Sequence, residues 1–378
     1  MKKRLIYGIA ILVIGAGAYL FYSKEKPFEM TVTDEAIATK VDVTVQEKED
    51  LPFTITSYNL GDTVCGIPQK DVRLFYVNDM YIMANAGYFG ENDMGNTKSS
   101  FDEDIYYTIN LQTKMCEMKV HAKDSFPEIG VPNGFVRLEE KAMRGKGEAR
   151  LILFDINTKK ETVLASDKGY ISDPVQWKKN HIMWIEDEDR TSRLIEYDSE
   201  TGKKEVLYKT EGERTYTSHT GTTIEGLLRT EVGMLLHKRV TKDSGAEEAL
   251  ISLVKENGDV VDYPNPTKAY SVALDEEWIV YATEQESEMG RRKIEVYNLA
   301  DKQKRYEFLS GANGADIHIR GNYLFVWEDL KVDAVYLPTG KKTTISSGEA
   351  SKVQVNDNNL VFTEEIDGEE RFNVIQFK

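Results

Sequence analysis

Positive charge is the first thing this sequence has too little of. Lysine and arginine number 48 against 64 aspartates and glutamates, a formal net charge of −16. That balance argues against a nucleic-acid reader, which presents a basic surface, and favours basic or cationic partners. Histidine is also scarce. No two of His121, His181, His219, His237 and His318 stand at metal-ligand spacing on one element. There is no G-x-S-x-G elbow, so this chain shows no α/β-hydrolase nucleophile. There is no Walker loop and no H-E-x-x-H pair. No catalytic residue, metal or cofactor is therefore assigned. No N-x-Ser/Thr acceptor exists, because Asn265-Pro266-Thr267 is disqualified by its proline. An amphipathic helix pattern of useful length is missing too.

Cysteine occurs twice, as Cys65 and Cys116. Outside the cell the two could pair; the alternative is two unpaired thiols, one a small strand residue. The blade arrangement derived below puts them on opposite radial sides of one blade, which counts against pairing. Neither cysteine ends the N-terminal apolar run, which excludes a lipoprotein anchor.

Long uncharged runs are confined to one place. Lys2, Lys3 and Arg4 precede an apolar run over residues 5–22, 18 residues in all. That is at the short end of a membrane-spanning helix, and the leading charges keep the N-terminus in the cytoplasm. Ala16-Gly17-Ala18 imitates a signal-peptide cleavage site, but the apolar run continues past it. The favoured reading is an uncleaved anchor in the cell membrane, with everything after Tyr22 extracytoplasmic. The chain then divides into a cytoplasmic head (1–4), a transmembrane anchor (5–22), a charged stalk (23–50) and a domain over 51–378. Residues 40–48 alternate like a strand, so part of the stalk is expected to pack on the domain.

What the domain does have is a repeat. Aromatic-then-turn hairpins begin at Tyr107, Phe154, Tyr197, Tyr297 and Tyr336, with a degenerate copy from Ser252 and a last one in RFNVIQFK. The spacing is about 40–47 residues. Each hairpin follows another, such as PVQWKKNHIMWIED from Pro174 or DIHIRGNYLFVWED from Asp316. The turn between its strands carries Asn, Asp or Gly, and its second strand is apolar on both faces. Each unit is thus four antiparallel strands, here A to D from the inside outward. Four-stranded units at this period are propeller blades. The expectation is an all-β, seven-bladed β-propeller preceded by an N-terminal transmembrane helix. Six or eight blades stay open because residues 210–263 are irregular. The last blade has only A, B and C in the C-terminal sequence. Its fourth strand is expected from PFTITSYN, which would remove an open edge.

The pattern of VYATE followed by KIEVYNLADKQKRYEFL resembles the broad group of TolB-like and WD40-like bacterial propellers, over about residues 52–378. The resemblance implies the fold and no particular activity. The Ser-Pro-Asp-Gly turn of TolB blades and its N-terminal α/β domain are absent, as is the Trp-Asp ending of WD40 repeats.

Charge is distributed unevenly over the loops. The B–C loops hold Glu186, Asp187, Glu188 and Asp189, then Glu284, then Glu328 and Asp329, then Glu364 and Glu365, with Asp367, Glu369 and Glu370 beside them. The C–D turns hold Lys114, Lys159, Lys160, Lys203, Lys204, Lys302, Lys304, Lys341 and Lys342. The acidic loops are the expected binding site for a protein partner or cationic ligand. If the closing strand is PFTITSYN, the stalk enters at the lysine-rich end and the acidic end looks outward. The expected function is a binding or scaffold module. The alternative is a hydrolase or lyase acting on a surface polysaccharide, since paired carboxylates abound.

Overall fold

The computed structural model describes residues 31–33, 40, 44–48 and most of 51–377. Residues 1–30, 34–39, 41–43, 49–50, 70–71, 92–96, 123–124, 144–145, 168–169, 189–190, 211, 215–218, 243, 265–268, 270, 285–290, 312–315, 352, 357–358 and 378 fall outside that description. The anchor run therefore lies outside it. Among the described residues, no helix is long and apolar enough to cross a membrane.

Among the described residues the strands form seven antiparallel blade sheets and one separate two-stranded hairpin. The first blade runs Arg73–Val77, Tyr81–Glu91, Thr97–Asn110 and Met115–Ala122, in the order A to D. The second begins at Ser125–Val131 and ends at Lys160–Asp167. The third runs from Val175–Lys178 through His181–Glu188 and Thr191–Asp198 to Lys204–Lys209. In the fourth, where the sequence is irregular, a short strand Gly212–Arg214 pairs with the start of His219–Arg229. The fifth starts at Ser271–Leu274 and ends at Lys304–Leu309. The sixth runs Asp316–Arg320, Tyr323–Glu328, Lys331–Tyr336 and Lys341–Thr344.

The seventh blade is assembled from both ends of the chain. Its A strand is broken into Glu349–Ala350 and Gln354–Asn356. B is Asn359–Ile366 and C is Glu369–Phe377. D is Phe53–Asn59, paired antiparallel with C from Phe53↔Phe377 to Asn59↔Arg371.

The apolar B strands have a packing reason. Each sheet buries both faces against its neighbours, so a B strand has no solvent side. The buried hydrophobics fall into seven clusters, each in one seam between consecutive blades. An open row of seven blades would have one seam fewer, so the ring is closed. The closing seam joins Val361, Phe372 and Val374 of the last blade to Val77, Ile82 and Ala84 of the first.

The recurring C–D turns have a local cause. Asn110, Asp155 and Asp198 each accept, through Oδ1, the backbone N–H two residues on, at 2.9 Å in all three turns. The chain then needs one left-handed residue to enter strand D. Gly202 (φ 72°) and Gly340 (φ 70°) supply it in the two Thr-Gly-Lys-Lys turns. Lys114, Lys159 and Lys302 supply it elsewhere, at φ 55°, 56° and 57°.

The segment expected as a stalk contributes strands to the ring on both sides of the closing seam. Thr31–Thr33 pairs with the D strand of the first blade, and Thr44–Lys48 pairs with Phe53–Asn59. Between closing strand and first blade the chain makes a small hairpin, Thr63–Val64 against Ile67–Pro68. Its tip, Cys65, is disulfide-bonded to Cys116 in the first D strand, with Cα atoms 5.7 Å apart. This corrects the radial argument against pairing: the hairpin carries Cys65 into the seam and across to the outer strand.

The chain's approach to the ring also differs from expectation. Thr31 pairs with His121, near the end of the first D strand. D strands end at the B–C end of the ring, so the chain arrives at the acidic end, not the lysine-rich one.

Candidate binding face at the B–C end

The expected site residues separate into two groups. Glu186, Glu328 and Glu364 occupy the same register position of their B strands, the sixth from His181, Tyr323 and Asn359. All three are buried. Glu186 accepts from Trp184 Nε1 at 2.8 Å and Lys204 Nζ at 3.0 Å, and meets Arg193 at 3.2 Å. Glu328 accepts the backbone N–H of Gly311 at 2.6 Å and pairs with Lys342. Glu364 accepts the N–H groups of Ser347 and Gly348 at 2.6 and 3.1 Å. Glu139 holds the same position in the second blade and pairs at 2.5 Å with the buried Arg137.

These carboxylates are internal fastenings. Two of them tie the chain where it crosses to the next blade, and two neutralise a buried or half-buried cation. Lys204 and Lys342 are the second lysines of the two Thr-Gly-Lys-Lys turns. The acidic and basic sets that look independent in the sequence are thus partly paired with each other. Arg137–Glu139 is buried on both sides, and breaking such a pair costs about 3–5 kcal/mol; in the lysine pairs only the carboxylate is buried.

The second group lies nearer the solvent where its side chains are described. Asp329 and Glu365 are exposed, and Asp187 is half-buried, accepting from Ser192 Oγ at 2.6 Å. Glu188 and Glu284 end their strands. Asp189 lies outside the described residues.

Glu365 belongs to a cleft of about 500 Å³ at the break in the last blade's A strand. At the break Ser351 still ties to strand B, donating its N–H to Thr363 O at 2.7 Å and accepting the Thr363 N–H through Oγ at 2.9 Å. Glu365 lies directly opposite Glu349 on one side and Glu370 on the other. Cross-strand neighbours have Cβ atoms about 5 Å apart and share a face, so the three carboxylates form one row. Arg73, the first residue of the first blade, lines the same cleft, as does Leu330 of the sixth. Arg73, Glu349 and Glu365 are exposed and Glu370 half-buried.

Burial raises the Glu370 carboxyl to about 7; Arg73 draws it down and Glu365 pushes it further up. Its backbone oxygen accepts Gln69 Nε2 at 2.6 Å, which ties the cleft to the disulfide-bearing hairpin. Among the described lining residues, this row of three carboxylates meets one guanidinium, a surplus of negative charge suited to an ammonium or guanidinium group. Among the described residues, no group of three His, Cys, Asp or Glu side chains is placed to hold a metal ion.

Arg73, Glu349 and Gln69 are not singled out by sequence reasoning. Each is one polar residue at a strand end, without a motif. Glu370 reads as one more loop acid. The broken A strand offered the only sequence signal, in Ser346-Ser347-Gly348-Glu349-Ala350-Ser351, a run of small residues where other blades have an apolar strand.

No family model and no curated protein matches the chain. Solved propellers do. The β-propeller domain of the Trilobed protease from Pyrococcus furiosus, described as having an open velcro topology, is 14% identical. It superposes with a TM-score of 0.51 over 82% of this chain and 96% of its own. An oligogalacturonate lyase in complex with manganese is 12% identical, with a TM-score of 0.49 over 90% of this chain and 98% of its own. TolB from Acinetobacter baumannii is 14% identical, with a TM-score of 0.38 over 78% of this chain and 80% of its own. At such identities the likeness concerns the fold alone: the chain is a seven-bladed β-propeller, the architecture that its blade pattern resembles.

Proposed function

We propose that this chain is a membrane-anchored, extracytoplasmic propeller that binds a basic segment of a protein partner at the B–C end. The observation that carries the reading is the row Glu349–Glu365–Glu370 in an open cleft, where Arg73 is the one cation among the described lining residues. The extracytoplasmic placement is supported by the Cys65–Cys116 disulfide, since such bonds persist in oxidising compartments. The apolar run over residues 5–22 supports the anchor.

The test is titration of a lysine-rich peptide into the protein and into the Glu349→Gln/Glu365→Gln variant. The variant is expected to bind about tenfold more weakly, a loss of about 1.4 kcal/mol, and wild-type affinity to fall as salt rises. Equal affinities, or affinity indifferent to salt, would sink the reading.

One observation favours a second reading, an enzyme acting on a surface polysaccharide. Glu370, held near neutrality beside the more exposed Glu365, has the character of a proton donor next to a carboxylate base. Release of reducing or unsaturated ends from a polysaccharide, lost in Glu370→Gln, would establish that reading.

A further inference from the structure

We infer that the B–C end faces the bilayer, and that the basic segment bound in the cleft belongs to a membrane-proximal protein. The inference rests on the anchor reading given above and deepens it by fixing which end of the ring looks at the membrane.

The register of the outermost strand carries the argument. Thr31 pairs with His121 and Val32 with Val120. Val120 lies opposite Tyr106, Tyr106 opposite Asn85, and Asn85 opposite Arg73. Val32 is therefore level with the cleft residue Arg73, and Thr31 is one step further toward the B–C end. Following the chain the other way, Lys40 bridges to Met115 at the C–D end. Thr31 thus stands at the B–C end of the first blade and Lys40 at its C–D end, so the chain enters its outermost strand from the B–C end.

Chain reach then limits where the bilayer lies. Residues 23–30 separate the apolar run from Thr31. At full extension they span at most about 30 Å. The strand Met115–Ala122 is itself about 26 Å long at roughly 3.3 Å per residue. A bilayer at the C–D end would require these residues to run back along the whole blade, with almost no length left. A bilayer at the B–C end requires only a short span.

The electrostatics agree with a gap between ring and lipid. Exposed Glu365, Asp367 and Glu369 would repel anionic headgroups, but that repulsion fades over about 8 Å at physiological salt. A basic stretch just outside another protein's membrane span would sit within this gap. The lysine-rich C–D turns would point away from the membrane.

The experiment uses the full chain reconstituted in phosphatidylglycerol and phosphatidylethanolamine vesicles. Glu369→Cys at the B–C end or Lys341→Cys at the C–D end is labelled with a fluorescent donor, the native cysteines being joined to each other. Acceptors are placed on lipid headgroups. Transfer is expected to be greater from position 369; equal transfer or the reverse order overturns the orientation. Failure of the full chain to float with the vesicles overturns the anchor reading and the inference with it. In a second arm, a lysine-rich peptide is offered free or acyl-tethered to the same vesicles. Tethering is expected to strengthen binding at least tenfold, and equal affinities overturn the membrane-proximal partner. Absence of binding in both forms overturns the cleft reading and the partner, while the transfer order still decides the orientation.

Discussion

Glu364 and Glu365 adjoin in the chain and point to opposite sides of the last blade. Glu364 is buried against the N–H groups of Ser347 and Gly348, whereas Glu365 stands exposed between Glu349 and Glu370. Glu370 makes the difference measurable. Its folded carboxyl is raised from 4.5 to about 7, chiefly by burial. Between those values the folded state holds a proton that the unfolded state has lost. The contribution of this group to stability is therefore fully present below pH 4.5 and is lost as pH rises through about 7. Glu370→Gln keeps the shape and removes the charge. The variant is expected to be more stable than wild type by about 1–3 kcal/mol at pH 8, and equal to it below pH 4.5. Urea unfolding at the two pH values checks this. A gain of the same size at both would mean that ionisation of Glu370 is not the cause.

The hairpin turns show what the repeat encodes. One left-handed residue brings the chain into strand D, after an Asx-type cap in the first, second, third and fifth blades and after Tyr336 in the sixth; that residue is glycine in the third and sixth blades but lysine in the first, second and fifth. A left-handed L-residue costs roughly 1 kcal/mol relative to glycine. Gly202→Ala should therefore destabilise by about 1 kcal/mol, while Lys159→Gly should stabilise by about 0.5 kcal/mol after the added freedom of the unfolded chain is counted. Opposite signs in denaturant midpoints support this account; a loss in both would locate the turn's stability in the lysine side chain instead. Such turns, with two-sided apolar B strands between them, make the blades legible in the sequence. The buried glutamates were not legible as such, because Glu186-Asp187-Glu188-Asp189 reads as a solvated loop. The strand instead runs through Glu188, and Glu186 turns inward. The signal was register: Glu139, Glu186, Glu328 and Glu364 all stand five residues after the first residue of strand B, which a loop with free spacing would not repeat. The strand Thr44–Lys48 was legible in the alternation of residues 40–48, whereas Thr31–Thr33 and the small hairpin were not, since strands of two or three residues carry too little alternation to be told from coil.

A closed ring stores its weakness in the one seam where its two ends meet, and here several devices converge on that seam. The closing strand Phe53–Asn59 pairs with the C-terminal strand, and strands from residues 31–48 flank both sides. The hairpin at Cys65 packs into the seam cluster, and its disulfide pins it to the first blade. The bond spans 51 residues, for which the loop-entropy relation gives about 4 kcal/mol. The strands Thr31–Thr33 and Thr44–Lys48 and the seam cluster persist without it, so the double variant Cys65→Ser/Cys116→Ser should lose about 2–4 kcal/mol. Where the loss appears matters more than its size. Hydrogen exchange should quicken in the first and last blades, including the Gln69–Glu370 contact at the cleft, while the third to fifth blades keep their protection. Uniform quickening around the ring would mean that the disulfide stabilises the fold as a whole. Confinement to the seam would show that closure, the cleft and the redox state of the compartment are linked through one hairpin.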